Sequence, residues 1–198
     1  MSDFIKAPDD WEQIIPEGDD RKRPKPGAYL CRIIDAHLQN NRLYLNLDIA
    51  DGEHKGYFKE VYDGRIARGD DNVFWGLTFG VPVAFDDPKN GSFFKRLYKR
   101  FAFNLELSNI NFQFNVNGGL QVDRLKGKLI GALIYHVEKQ SKDRIYVNCR
   151  VDKCYSAKEV EDGRCPEGWI EGVDGTKRKP DEPPPDIAVE EEDVDIPF

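Results

Sequence analysis

The sequence predicts a mainly β domain: a five-stranded barrel with a helix-containing insertion between strands three and four, and a disordered acidic C-terminal tail. Three observations predict it. Apolar residues recur with period two in several runs of about ten residues, the mark of half-buried strands. Turn signals separate those runs at short intervals: Asn40-Asn41, Asp51-Gly52 and the polar stretch Gln140–Asp143. One long segment alone shifts to helical spacing.

Residues 1–26 read as an N-terminal arm ending in the basic stretch Arg21-Lys22-Arg23-Pro24-Lys25-Pro26. The domain proper runs from 27 to 171, and Gly27 opens its first strand, GAYLCRIIDAHLQ. After the Asn turn, RLYLNLDIA puts Leu43, Leu45, Leu47 and Ile49 on one face and Arg42, Tyr44, Asn46 and Asp48 on the other. GYFKEVY then reads as the third strand of a meander. Residues 63–91 carry Phe74, Trp75, Phe79 and Phe85 among Gly, Asp and Pro, and are too long for an ordinary loop, so they read as an excursion.

In SFFKRLYKRFAFNLEL, Phe94, Leu97, Tyr98 and Phe101 follow helical spacing, with Lys95, Arg96, Lys99 and Arg100 on the other face. Ser92 is the predicted N-cap. The insertion therefore covers about residues 63–125. Beyond the turn Asn117-Gly118-Gly119, KLIGALIYHVEK and RIYVNCRVDKCY are predicted to close the sheet as a hairpin. In its last strand Ile145, Val147, Cys149 and Val151 share one face, and Arg144, Tyr146, Asn148 and Arg150 the other. From 172 to 198 the composition is that of a proline-rich linker and an acidic docking tail. Meander, helix and hairpin make the element order of an OB-fold.

The 198 residues include 29 Lys+Arg and 36 Asp+Glu, a formal net charge of -7. That charge is segregated. Residues 181–198 hold eight acids and no base, residues 1–20 hold seven acids against Lys6, and the body between them is +7. A basic body between acidic arms suits a polyanion for which the arms compete, while the plainer reading gives the arms a role in solubility. With 39% hydrophobic and 12% aromatic residues, the chain can build a core. No run reaches the roughly 18–20 apolar residues of a membrane span, and the first residues are acidic where a signal peptide is basic. Four cysteines without a CxxC pair argue against a disulfide framework or a zinc ribbon. A cytoplasmic protein with no membrane partner is expected.

Catalytic signatures are missing: there is no GxxxxGK[ST], HExxH, GxSxG or GxGxxG. His37, His54 and His136 lie far apart and read as ordinary histidines; Cys149, Cys154 and Cys165 read as thiols, Cys149 on an apolar strand face. Arg68-Gly69-Asp70 and the sequon at Asn90 would need an extracellular setting. Asp48, Asp51, Glu53, Glu60 and Asp63 could serve a two-metal nuclease, yet they fall around turns and outer faces. The expectation is a chain without catalytic activity, metal or cofactor.

The positive signal is the pairing of basic and aromatic residues on outer strand faces. Arg42 and Tyr44 lie on the second strand, Tyr57 and Lys59 near the third, and Arg144, Tyr146 and Arg150 on the last. Lys139 and Lys142 bracket the preceding turn. Single-stranded nucleic acid wants this combination, because cations follow phosphates while flat side chains stack on unpaired bases for roughly 1–3 kcal/mol each. Trp75 joins the set, although for Phe74 and Trp75 base stacking, a subunit contact and a satellite core all stay open.

The C-terminal segment EEEDVDIPF resembles the tip of bacterial single-stranded DNA-binding proteins, which docks onto DNA-processing proteins. Here Phe198 would fill an apolar pocket behind Ile196 and Pro197, its carboxylate would meet a base, and Asp193 and Asp195 would meet a basic rim. A wider pattern, GAYLCRIIDA, LNLDIADGEHKGYF, LKGKLIGALI and RIYVNCRVDKCYS over about residues 27–157, resembles phage single-stranded DNA-binding proteins with an OB-fold. The 63–91 excursion is particular to this chain. The resemblance implies binding of single-stranded DNA with little sequence preference, in replication, recombination or repair, with partner proteins recruited through the tip. It also implies a bacterial host cytoplasm for a phage-encoded chain. A metal-dependent nuclease and a purely protein-binding adaptor remain the alternatives, and a homo-oligomer stays open.

Overall fold

The computed structural model describes residues 22–115, 119–141 and 144–182. In chain order the elements are β1 (Gly27–Gln39), β2 (Arg42–Ile49), α1 (Tyr57–Ala67), β3 (Thr78–Pro82), α2 (Gly91–Ser108), β4 (Leu129–Ser141), β5 (Arg144–Tyr155), α3 (Ala157–Glu161), β6 (Ile170–Glu171) and β7 (Lys177–Arg178). A 3-10 turn, Val122–Leu125, precedes β4. The architecture is mainly β.

Strand β2 behaves as its alternation predicts. Leu43, Leu45, Leu47 and Ile49 are buried, while Arg42, Tyr44 and Asn46 keep exposed surface. Asn40 and Asn41 form the turn with φ of 48° and 55°. Two left-handed residues in succession are what a tight two-residue hairpin needs, and Asn tolerates them. β1 pairs antiparallel with β2, but its register shifts between Ile33 and Asp35. Before this bulge Cys31 and Ile33 face the core. After it Asp35, His37 and Gln39 stand opposite Asn46, Tyr44 and Arg42, on the outer face.

The predicted third strand is corrected. GYFKEVY lies in helix α1, and the third strand is instead TFGVP, inside the stretch read as an excursion. The cause is a long-range cap. The buried Asp48 carboxylate accepts N–H bonds from Phe58 at 3.0 Å and Lys59 at 3.3 Å, satisfying donors that a helix start leaves open. Gly56, at φ 76°, turns the chain into the helix. Lys59 then pairs with Asp63 one turn on.

The sheet runs β3-β2-β1-β4-β6-β7, with β5 on the other side of β4. β1 gives Gly27–Arg32 to β4 and Cys31–Gln39 to β2, so one strand bridges both halves. The β4–β6 pairing is parallel, which makes the sheet mixed. β3 and β5 approach each other but share no ladder, so the expected closed barrel does not form. β3 has only five residues and ends at Pro82, which has no N–H to offer a further strand.

Helix α2 covers the core face with Phe101 and Leu105, which pack with Phe58, Leu77, Phe112, Phe114 and Leu125. It starts at Gly91 rather than at the predicted cap Ser92. Asp87 accepts N–H bonds from Lys89 and Asn90 in the preceding turn, and a side chain at Gly91 would meet the Phe85 carbonyl oxygen at 2.4 Å. At the far end the Asn109 amide bonds both Leu105 and Leu129, tying α2 to β4. Phe103 and Leu107 are exposed on its outer side. Residues 170–178, which run across the expected linker boundary, form the β6–β7 ribbon; Arg178 pairs there with Glu138 of β4. Among the described residues, no helix is long and apolar enough to cross a membrane.

Two expected outcomes test this packing. Leu45→Ala should cost about 2–5 kcal/mol in urea denaturation, because it empties a fully buried site. Leu38→Ala, at the 62% exposed end of the same hairpin, should change stability by less than about 0.5 kcal/mol. The second concerns pH. Burial holds the His136 imidazole below its ordinary value and outweighs the Nε2 donor bond to the Pro24 carbonyl at 2.8 Å, which favours the charged ring, so the folded state keeps it neutral to lower pH. The unfolded chain takes up that proton near 6.5. Stability is therefore complete above that pH and falls as the pH drops below it, down through the lower folded value. Urea midpoints taken from about pH 8 to about pH 5 should show the loss, and His136→Gln should flatten it.

Candidate nucleic-acid interface

The outer face of β1, β2 and β3 forms a small platform in which register sets every neighbour. One row runs Asp35, Asn46, Thr78, the next His37, Tyr44, Gly80, and the third Gln39, Arg42, Pro82. His37 stacks on Tyr44 with ring centroids 5.6 Å apart and planes 20° apart. Gly80 keeps its row flat: a side-chain carbon there would lie 2.7 Å from Arg42 Cδ. The glycine lets the Arg42 chain lie across β3.

Beside this platform the unclosed seam between β3 and β5 is a groove of about 610 Å³. Arg42 and Tyr44 line it from β2, Arg65 from α1, and Asn148 and Arg150 from β5. Among the described residues neither Arg42 nor Arg150 has a carboxylate partner, whereas Arg65 meets Asp70 at 3.1 Å. Tyr135 of β4, register partner of Arg150, forms part of the wall and stacks on Trp169 at 4.7 Å. Lys177 lies over that same Trp169 ring.

Phe74 and Trp75, in the segment before β3, rise between this groove and a second hollow of about 490 Å³. The two share Tyr44, Phe74, Trp75 and Thr78, so they adjoin. Trp75 is anchored, its Nε1 donating to the Leu47 carbonyl at 2.7 Å and its ring against Tyr62. Phe74 is 75% exposed. Its exposed ring shares the lining of the groove with Arg42, Arg65 and Arg150.

Of the sequence-predicted residues, Arg42, Tyr44, Trp75 and Arg150 come together in the groove. Tyr146, 52% exposed, and Lys139 face each other farther along the β4–β5 hairpin, outside it. Arg144 begins β5, its side chain outside the described set, as are Lys142 and the tail residues Asp193, Asp195, Ile196, Pro197 and Phe198. Tyr57 and Lys59 are corrected: they open α1, Tyr57 against His54 and Phe58 and Lys59 against Asp63, and neither lines the groove. Arg65 and Thr78 line the groove, and His37, Asn46 and Thr78 the hollow, without being among the predicted residues. Alternation already puts Asn46 on the outer face, and stacking is one of the roles the sequence leaves open for Phe74.

The candidate acids separate as well. Asp48 caps α1 and is buried. Among the described residues no three His, Cys, Asp or Glu side chains gather as a metal site. Cys149 lines the groove as a thiol whose pKa burial pushes up to about 11, so it serves there as an apolar wall. No protein-family model matches the chain, and no curated protein matches it.

Proposed function

We propose that this chain is a non-catalytic single-stranded DNA-binding protein of the phage or bacterial kind, serving replication, recombination or repair. One observation carries the reading: exposed Phe74 stands beside Tyr44 and Trp75 in a groove rimmed by Arg42, Arg65 and Arg150. Guanidinium groups track phosphates without regard to sequence, and aromatic faces stack on bases that duplex pairing would hide. The OB-type reading of the sheet is supported by the pairing order β3-β2-β1-β4-β5, by the bridging role of β1, and by the groove's place beside the β2–β3 face of the unclosed sheet. The acidic C-terminal segment would recruit partner proteins and compete with DNA for the cationic groove.

Fluorescence anisotropy with a labelled mixed-sequence single strand, run across a salt series, tests the reading. Phe74→Ala should weaken binding about 5- to 100-fold, the worth of one base stack. Arg150→Ala should lower the salt slope by about 0.7, the share of one phosphate contact on a single strand. Equal binding of duplex, or an unchanged affinity for Phe74→Ala, counts against the proposal. Incubation of the DNA with Mg²⁺ should leave it intact; cleavage would favour the nuclease alternative. Deleting residues 183–198 should leave DNA affinity equal or higher, and a loss of binding would contradict the competing tail.

A further inference from the structure

The second hollow differs from the groove in its chemistry. The groove is rimmed by arginines, whereas the hollow has Asp35, Asn46, Thr78 and Gln39 on its floor, with Phe74 and Trp75 as its wall. A carboxylate is costly in a polyanion site, since it repels the phosphates that the arginines attract. Asp35 is there because of the β1 bulge. Without the register shift between Ile33 and Asp35, strand alternation would turn Ile34, Ala36 and Leu38 outward; with it, Asp35, His37 and Gln39 share the face of Tyr44.

One hydrogen bond orients the amide in the Asp35–Asn46–Thr78 row. Thr78 Oγ1 donates to Asn46 Oδ1 at 3.2 Å, which engages the amide oxygen and leaves Asn46 Nδ2 to donate outward. Asp35, its register neighbour, offers a carboxylate that accepts. The row therefore presents an acceptor beside a donor, next to an exposed ring on which a base can stack. Cytosine and adenine carry the complementary edge, an exocyclic amine beside an unprotonated ring nitrogen. Thymine and guanine carry the reverse, a carbonyl beside a ring N–H.

We propose that this hollow is a base-reading subsite, in which Asp35 and Asn46 select a cytosine or adenine stacked on Phe74 over thymine or guanine. The inference rests on the single-strand reading of the groove and goes beyond it, because it gives a sequence preference to a surface whose arginines have none. Asp35 takes the exocyclic amine, Asn46 Nδ2 takes the ring nitrogen, and the arginines hold the flanking phosphates.

The test compares labelled oligo-dC and oligo-dT, two weakly stacking pyrimidine strands of one length, by anisotropy at one salt concentration. Wild type should bind oligo-dC about 5- to 100-fold more tightly, the range for one paired base edge. Asp35→Ala should erase that ratio while leaving oligo-dT binding equal or stronger, and Asn46→Ala should erase it without removing a charge. Thermal melts check that both variants fold. Equal wild-type affinities overturn the inference and leave the single-strand reading standing. An Asp35→Ala protein that gains affinity for both strands by one common factor also overturns it, since Asp35 would then act by repulsion alone. If neither strand is bound at low salt, the single-strand reading fails and the subsite with it.

Discussion

The period-two alternation of β2 is the constraint on which the rest depends. Burying Leu43, Leu45 and Leu47 against the core commits Arg42, Tyr44 and Asn46 to the opposite face, because a strand has only two sides. β1 and β3 pair with β2 on either edge, so both inherit their register from it. The same burial that stabilises the sheet therefore presents an arginine, a tyrosine and an amide in line on its outer face. Stability and the candidate interface come from the two faces of one pattern.

Two departures from regular structure then shape the interface. The bulge at Ile34 lets β1 keep Cys31 and Ile33 in the core while switching to Asp35, His37 and Gln39 on the outside. The missing ladder between β3 and β5 leaves an open seam where a closed barrel would have backbone bonds. Arg150 and Asn148 face across it toward the β2–β3 platform. The short third strand thus leaves a concave surface, and Arg42, Arg65 and Arg150 line it.

Much of the frame was legible in the sequence. The β1–β2 hairpin with its Asn40-Asn41 turn, the amphipathic helix near residues 91–108 and the final β4–β5 hairpin all appear where periodicity and turn residues put them. α1 was not legible, because its start is capped by Asp48, whose partners lie ten and eleven residues away and leave no local mark. TFGVP was hidden for a related reason: five residues are too few to show a period, and its strand form comes from pairing with β2. Those two errors together misplaced Tyr57 and Lys59 and concealed Arg65 and Thr78.

By itself, the sequence determined what depends on local spacing and composition: the two faces of each long strand, the tight Asn turn, the helical stripe and the segregation of charge. Only the tertiary structure decided which outward residues become neighbours. Register brought Asp35 to Asn46 and Thr78, and the unclosed seam brought Arg150 to Arg42. The segment before β3 set Phe74 beside Tyr44. The physical reason is that alternation specifies a face but not a position along it. Position comes from strand pairing, a bulge and a long-range helix cap, each of which joins residues far apart in the chain.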